Sequence, residues 1–219
     1  MTTFPNSPKL FKGGIVLVDP DTSAVLRIIT LQYNPDSLSR TLQVQGTGGE
    51  GGGRSEPLRL KGPPVETLKV EAEIDATDQL EIPEQNRAAV MSGIYPQLAA
   101  LETLVYPASG QLIANSIQAQ LGVLEIAPME MPLTVFVWSK NRVLPVRLTE
   151  VSITEEAFDP SLNPIRAKVS LGMRVLSVDD LGFAHRGSST FMSYLQQKES
   201  LATQAKSGVL TDLGITRIP

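Results

Sequence analysis

The strongest constraint on the fold is the strict alternation of residues 165–175, where every odd position is apolar and every even position is polar, charged or glycine. Successive side chains of a β-strand point to opposite faces, so the segment predicts a strand with one buried and one wet face. A helix would instead spread the apolar groups around its circumference. The wet face would carry Arg166, Lys168 and Arg174. The segment therefore predicts a β-scaffold whose function lies in its surface.

Apolar and β-branched residues mark further predicted strands on both sides of a central region of different character. These strands cover residues 14–18, 24–33, 38–45, 67–74, 133–138 and 143–158. The alternation slips near Ile28–Ile29, as at a β-bulge, and again around Thr149–Glu150. The chain is therefore expected to be mainly β.

The hydrophobic period changes to steps of three and four within residues 83–106, which predicts a helix there. Its apolar positions are Val90, Ile94, Leu98 and Leu101. Pro96 predicts a kink or a break, since proline lacks the amide hydrogen that a helix interior needs. Residues 107–132 contain three prolines and are expected to form an irregular insertion.

The chain is expected to contain two regions. Residues 1–178 would form a β domain, and residues 179–219 would form a C-terminal helical extension that is helical to about residue 206. This extension has only a partial apolar stripe, formed by Phe191, Tyr194, Leu195 and Leu201. The predicted fold class is α+β, mainly β with one central helix.

Composition limits the classes of function. Hydrophobic residues make up 42% of the chain, enough for a core, and a net charge of −4 gives no electrostatic case for nucleic acid. The absence of cysteine excludes disulfides and thiolate metal sites and fits a reducing cytoplasm. The N-terminus lacks an apolar signal core, and no segment is long enough to span a membrane. We therefore expect synthesis in the cytoplasm and no direct membrane insertion.

The sequence offers little catalytic chemistry. Residues 48–55 approach the phosphate-loop pattern G-x-x-x-x-G-K-[ST], but Arg54 replaces its lysine and Glu56-Pro57 follows where a helix should begin. A flexible glycine-rich loop over residues 46–56 is the better interpretation. A small hydrolase that uses His185, the only histidine, stays an alternative. No G-x-S-x-G elbow accompanies this histidine, which argues against that alternative. No catalytic residue, cofactor or metal is predicted.

Residues 31–40 carry the first part of a family resemblance. They read Leu-Gln-Tyr-Asn-Pro-Asp-Ser-Leu-Ser-Arg. This resembles the signature F-x-Φ-N-P-x-x-Φ-S-R, with Φ apolar or aromatic, of the tube-like domain in contractile injection systems. The matching residues are Gln32, Tyr33, Asn34, Pro35, Leu38, Ser39 and Arg40, while Leu31 replaces the aromatic residue.

The second part of the resemblance lies in the later strands. Phe136 and Trp138 are close to the family's V-x-F-x-W-G strand, although by itself Trp138 predicts core packing, with an interface anchor as the alternative. The following hairpin matches in order at Val151, Ser152, Ile153, Phe158, Pro164, Arg166, Ala167, Val169 and Leu171. Residues 58–62 and 68–75 resemble the intervening block L-x-F-x-G … L-x-L-E-L-x-F-D.

The resemblance covers about residues 10–178 and implies a baseplate protein of a phage-tail-like contractile particle, a tube initiator or adaptor. It implies a tail-tube-like rolled β-sandwich or barrel, six copies of which form a ring. The implied partners are the other copies of this homo-hexamer, a tube protein above and a spike or hub protein below, with no nucleic acid and no enzymatic activity. The protein would be made in the bacterial cytoplasm and then reside in an extracellular or cell-associated particle.

The C-terminal segment departs from the family pattern. Residues 179–219 do not match the LysM module that family members often carry, apart from a faint Ile218-Pro219 ending. The resemblance therefore implies that this segment docks on other baseplate subunits. The alternative, from a different class of function, is a cell-wall or carbohydrate-binding module acting through the same segment.

A ring agrees with the strand patterns, because copies can continue a sheet edge to edge and head-to-tail contacts can close. Wet-face side chains would then line the lumen or the ring interface: Arg166, Lys168, Arg174, Lys69, Glu71 and Glu73. The other candidate interface residues come from the family motifs: Tyr33, Asn34, Pro35, Ser39, Arg40 and Trp138. The arm 1–13 and the loop 46–56 are expected to become ordered only against partners.

Overall fold

The computed structural model describes residues 11–46, 59–121, 131–205 and 208–218 of the chain. The phosphate-loop-like stretch 48–55 lies outside these described residues. Most of the predicted arm 1–13 and most of the predicted loop 46–56 lie outside them too.

Seven strands within the described residues form one antiparallel sheet. They are β1 Gly14–Val18, β2 Val25–Thr30, β3 Leu38–Gln43, β4 Val65–Asp75, β5 Leu133–Ser139, β6 Arg142–Phe158 and β7 Pro164–Val175. Their order is β2-β1-β5-β6-β7-β4-β3, and β2 and β3 at its two ends do not pair with each other. The mainly β fold class is confirmed. A closed barrel is not formed by the described residues, because the sheet is open.

β7 contains the alternating segment and confirms its two-faced character. Its buried apolar positions are Ala167, Val169, Leu171, Met173 and Val175. Lys168, on the opposite side, is exposed. The register places Leu68 and Val70 of β4 directly across from Met173 and Leu171. β4 and β7 therefore share one apolar face, which we call the core face, and one polar face, which we call the wet face.

The described residues contain six α-helices, four of which lie in the central region between β4 and β5, where the sequence predicts one. They are α1 Thr77–Leu80, α2 Arg87–Ser92, α3 Tyr95–Glu102, α4 Ser109–Gln120, α5 Val178–Leu181 and α6 Arg186–Thr203, with a 3₁₀ turn at Leu210–Leu213. α4 lies in the stretch that was expected to be irregular.

The helix predicted over residues 83–106 is divided into α2 and α3 at Gly93. Gly93 has a φ of +54° and a ψ of −131°, and its missing side chain leaves room for the carbonyl oxygen of Pro164. That oxygen accepts the N–H of Ile94 at 2.9 Å, so the helix break and the start of β7 hold each other in place. Pro96 lies in the first turn of α3, where its missing amide hydrogen leaves no bond unmade.

The C-terminal helix is also divided. α5 ends at Leu181 and is followed by Gly182, which has a φ of +69°, and α6 begins after His185. Phe191 and Tyr194 of the predicted stripe are buried, whereas Leu201 is exposed. α6 is shorter than the predicted helix, but its buried Phe191 and Tyr194 still cover part of the core face.

The two predicted slips in alternation differ in outcome. The register of β6 against β7 shifts between Leu148 and Glu150, which confirms the slip around Thr149. The irregularity in β2 lies instead at Leu26, because Leu17 pairs with Arg27 while the next residue of β1 pairs with Val25. The hydrophobic alternation of an exposed edge strand is a weak guide to its register, because neither of its faces is fully buried.

The core lies between the core face of the sheet and the helices that cover it. Ile94, Leu98 and Leu101 contribute from α3 and the residue before it, and Phe191 and Tyr194 contribute from α6. All five are buried in one cluster with apolar residues of β1, β4, β5, β6 and β7. α3 and α6 therefore pack on the core face, and the wet face of β4 and β7 is left to polar side chains.

Replacing Gly93 with alanine should destabilise the fold more than the same change at Gly182. Both residues have a positive φ that costs an L-residue about 1–3 kcal/mol. A Cβ at Gly93 would also come within 2.1 Å of the Pro164 oxygen, whereas a Cβ at Gly182 would meet open space. We expect Gly93→Ala to lower the melting temperature by at least about 4 °C more than Gly182→Ala. Equal melting temperatures by circular dichroism would contradict this account of the helix break.

Candidate functional site

The two ends of the sheet are the most conspicuous surface features. β2 exposes Val25, Leu26 and Ile28, each more than half accessible to solvent. At the other end, Leu42 of β3 and Val44 just beyond it are 42% and 68% exposed. Within the described residues each end strand has one strand neighbour, so its outer row of backbone donors and acceptors is available for pairing. Apolar side chains at an available edge favour strand-to-strand association.

The connection between β2 and β3 contains the motif residues, and several of them hold this connection against the rest of the sheet. Leu31 is buried, and its N–H donates to the oxygen of Gly13 at 2.9 Å. The side-chain amide of Gln32 donates to the oxygen of Asp75 at 2.6 Å and accepts the N–H of Asp75 at 2.9 Å. Gln32 thus connects the end of β2 to the end of β4 through a pair of bonds like those of a strand ladder.

Asn34 plays a similar part on the other side of the same connection. Its Nδ2 donates to the oxygen of Phe11 at 2.7 Å, and its Oδ1 accepts the N–H of Gly13 at 3.0 Å. Asn34 therefore fixes the approach to β1. Of the remaining motif candidates, Pro35 is half-buried beside this turn, whereas Tyr33 and Ser39 are exposed. The motif thus combines residues that build the fold with residues that face outward.

Arg40 belongs to a buried cluster of side chains that was not predicted from the sequence. Its Nε lies 3.0 Å from Oε1 of Glu66, a buried carboxylate on the core face of β4. The hydroxyl of Tyr194 donates to the same carboxylate at 3.2 Å, and Nζ of Lys198 donates to its other oxygen at 3.2 Å. The Lys198 ammonium also lies 4.1 Å from the centre of the Tyr194 ring. We call these four residues the Glu66 cluster.

The Glu66 cluster joins three elements, β3, β4 and α6. A buried carboxylate is unfavourable unless it is paired and hydrogen-bonded, and here two cations and one hydroxyl meet that need. One sequence signal could have revealed it. Glu66 shares the inward parity of Leu68, Val70 and Ala72, so the alternation of β4 places a charge on the apolar side.

The wet face brings the three predicted cations of β7 into separate ion pairs rather than into one site. Nε of Arg166 lies 2.9 Å from Oδ2 of Asp75 and 3.7 Å from Oε1 of Glu73. Nζ of Lys168 lies 2.9 Å from Glu156 on the neighbouring β6. These pairs run across the sheet, so the wet face has mixed charge.

Arg174 connects the sheet to the C-terminal region. Its NH2 group lies 2.7 Å from Oδ1 of Asp180 in α5. The other carboxylate oxygen of Asp180 accepts the N–H of Ser177 at 2.9 Å, which caps the start of α5. This pair therefore positions the first helix of the C-terminal extension.

Two titrating groups on the wet face are shifted by their surroundings. Burial of the Asp75 carboxyl opposes its ionisation, but the hydroxyl and backbone N–H of Thr77, together with Arg166, outweigh burial and lower the pKa of Asp75 below its usual 3.8. The hydrogen bond from Lys168 to Glu156 raises the pKa of Lys168. Both shifts favour the charged forms that make the cross-strand pairs.

Trp138 and His185 have structural contacts. The Trp138 ring stacks on Phe136 with centroids 6.0 Å apart, and it packs against Gly13, so this half-buried ring lies at the border of the core. Nδ1 of His185 accepts the N–H of Gly187 at 3.0 Å and caps α6. These contacts give the histidine a role at the helix start.

The described residues contain no group of three or more histidine, aspartate or glutamate side chains placed to hold a metal ion. In the same part of the chain, none of the helices has both the length and the apolar character needed to cross a lipid bilayer.

Replacing Glu66 with glutamine should weaken the attachment of α6. The change removes the charge that pairs Arg40 and Lys198, so we expect the free energy of unfolding to fall by about 2–3 kcal/mol and α6 amides to exchange faster. Glu71→Gln is the matched control, because Glu71 is an exposed residue of the same strand with one long ion pair. The control should change stability by less than about 0.5 kcal/mol. Equal effects in urea unfolding would refute the role of the cluster.

Replacing Thr77 with valine should alter the acid sensitivity of the fold. A carboxyl whose native pKa is lowered gives stability that is fully present above its unfolded pKa and is lost as pH falls through the native pKa. The parent should therefore be more stable than Thr77→Val at pH 6, and this difference should shrink as pH falls below about 3.8. Chemical denaturation from pH 6 to pH 2 measures the difference. Thr154→Val on β6 is the control, and the same pH dependence in both variants would contradict the assignment.

Comparisons with known proteins agree with this geometry. A family profile described as the contractile injection system tube protein matches residues 16–180, which include all seven strands apart from the first two residues of β1. A search of curated proteins gives no significant match. The matched region contains the β2–β3 connection with its motif residues, both end strands of the sheet and the ion pairs of the wet face. Because the profile spans most of the sequence, the chain belongs to the contractile injection system tube protein family.

Proposed function

We propose that this structural component of a contractile injection system forms a hexameric ring in the baseplate. The ring would join the spike hub to the inner tube and start tube assembly. Family membership supports a tube-related structural subunit. The proposed number of copies and the proposed baseplate position rest on the motif resemblance of residues 31–40, 135–138 and 146–175.

The single observation that carries the proposal is the open sheet with an available strand at each end. β2 and β3 are different surfaces of one copy, so pairing β2 of one copy with β3 of the next is a head-to-tail contact. Contacts of this kind form a closed ring when the rotation between copies allows it. Leu42 of β3, exposed on the core face of a single copy, would become buried in such a ring.

The wet face is proposed to line the lumen, since α3 and α6 pack on the core face. Arg166, Lys168 and Arg174 would then contribute their charges as internally paired groups. A lumen of mixed, paired charge would let cargo pass without holding it by strong attraction of one sign. Tyr33 and Ser39, the exposed motif residues, are proposed to face neighbouring subunits at the sheet ends.

The tube protein is proposed to bind one rim of the ring and the spike hub the other. The C-terminal segment is proposed to contact further baseplate subunits. Its last described part exposes apolar side chains at Val209, Leu210, Leu213, Ile215 and Ile218. A cell-wall-binding role for residues 179–219 stays a prediction from the sequence. The protein is proposed to act without enzymatic activity, first in the bacterial cytoplasm and then within the particle.

The direct test is cryo-electron microscopy of the purified particle combined with quantitative mass spectrometry. The proposal expects one six-fold layer of this chain between spike and tube, hence six copies per particle. Dozens of copies along the tube would show that the chain forms the shaft instead. Absence from the particle would overturn the proposed function.

A positive charge on the β2 edge should prevent ring formation without unfolding the chain. Ile28→Lys places an ammonium at the exposed edge, and edge lysines oppose strand pairing. Ser152→Lys is the control, since Ser152 is exposed on the same wet face but lies in β6, in the interior of the sheet. Mass photometry should find rings for the parent and the control, and monomers with an unchanged circular dichroism spectrum for Ile28→Lys. Rings of all three proteins would argue against a β2 interface.

A further inference from the structure

α4 is an amphipathic helix whose apolar side is exposed. None of its residues is buried. Ile113 and Ile117 are one helical turn apart and 61% and 52% exposed, and Leu121, directly after α4, is 78% exposed and extends the same apolar side. We call these three residues the α4 stripe. The opposite side of α4 carries Gln111, Asn115 and Gln118.

α4 carries no charged side chain, although charged residues make up 19% of the chain. Helices that are exposed to solvent on all sides usually carry charges for solubility. A neutral helix with an isoleucine–leucine stripe fits an apolar partner surface better than water or a charged ligand.

The segment between α3 and α4 contacts β2, an end strand of the sheet. NH1 of Arg27 in β2 donates to Oγ1 of Thr103, directly after α3, at 2.7 Å. The next residues toward α4 include Val105 and Tyr106, both exposed. Exposed apolar residues therefore continue from β2 into the segment that leads to α4.

The opposite edge carries an apolar surface of matching character. Leu42 lies across from Glu66 in the β3–β4 register, which puts it on the core face, and alternation places Val44 on the same side. Leu60 lies across from Gly46 in the same hairpin and is 69% exposed. We call Leu42, Val44 and Leu60 the hairpin patch.

The geometry of a head-to-tail ring would bring these two surfaces to the same contact. Arg27 lies on the core face. It pairs with Leu17, and this pair lies two residues along each strand from the pair of Ile15 and Ile29, which faces the core. The bond of Arg27 to Thr103 therefore places the start of the α4 segment on the core-face side of β2. In a β2–β3 contact between copies, the hairpin patch of the neighbour lies on that same side.

The size of the contact supports a role for α4. Stable interfaces bury about 800 Å² per partner, and a ladder between two six-residue strands provides only part of that area. An additional apolar helix packed on the neighbour would supply further buried area without any unpaired charge.

We propose that α4 packs through the α4 stripe on the hairpin patch of a second copy of this chain, next to the β2–β3 contact. This inference rests on the proposed ring and adds a second intersubunit element to it. α4 thereby reinforces the short edge ladder from the core-face side.

Charge substitution on the two sides of α4 tests the inference. Ile113→Glu/Ile117→Glu places two carboxylates in the α4 stripe, and Gln111→Glu/Gln118→Glu places two on the opposite side of the same helix. We expect the stripe variant to need at least a tenfold higher concentration for half-maximal ring formation by mass photometry, with an unchanged circular dichroism spectrum. The opposite-side variant should assemble like the parent.

Cross-linking between copies identifies the contact surface, because the chain has no cysteine of its own. Ile117→Cys and Val44→Cys are introduced into separate chains, which are mixed and oxidised. A disulfide-linked dimer containing one chain of each kind is expected, and Gln118→Cys mixed with Val44→Cys should give at least tenfold less.

The outcomes separate this inference from the proposed ring. If the stripe variant assembles like the parent, or the mixed dimer forms no faster than in the control mixture, the α4 contact is refuted while the ring remains. If the parent forms no ring and is absent from particles, both the ring and the α4 contact are refuted.

Discussion

The ladder of β4, β7 and β6 is the constraint on which the rest of the molecule depends. β7 pairs with both neighbours over most of its length, so a shift of one residue would turn every buried side chain of β7 to the wet face. Val169 and Leu171 hold that register from the core side, and the Lys168–Glu156 pair fits it on the wet side. The helices have a single apolar surface to cover because this register is fixed.

The ends of the sheet are stabilised by side chains instead of further strands. Gln32 uses its amide in the manner of a backbone group against Asp75, and Arg40 reaches the buried carboxylate of Glu66. These two motif residues keep the end strands in a defined position although each strand has a neighbour on one side only. The motif residues thus fix the positions of β2 and β3. A subunit that is proposed to pair with its neighbours through these two strands would need them in fixed positions.

The strands could be predicted from the sequence because their pattern is local, whereas the failures share a long-range cause. The alternation in β7 shows its faces without any knowledge of its neighbours. The division at Gly93 depends on the Pro164 carbonyl, and two of the three partners of Glu66, Tyr194 and Lys198, lie 128 and 132 residues away in the chain. The alternation of β4 places Glu66 on the apolar side, but no periodicity identifies partners so far away in the chain. The expected single helix and the missed partners of Glu66 both follow from this limit.

The Glu66 cluster also explains how the C-terminal helix is oriented and not merely attached. Apolar contacts of Phe191 are non-directional, so α6 could rotate or slide on the core face at small cost if they acted alone. A buried carboxylate that accepts from Tyr194 and Lys198 accepts only at hydrogen-bond distance, and leaving either donor unpaired is costly. The cluster therefore fixes one position of α6 relative to β3. Because β3 is an end strand of the sheet, the orientation of the C-terminal extension is tied to the edge at which a neighbouring copy is proposed to bind.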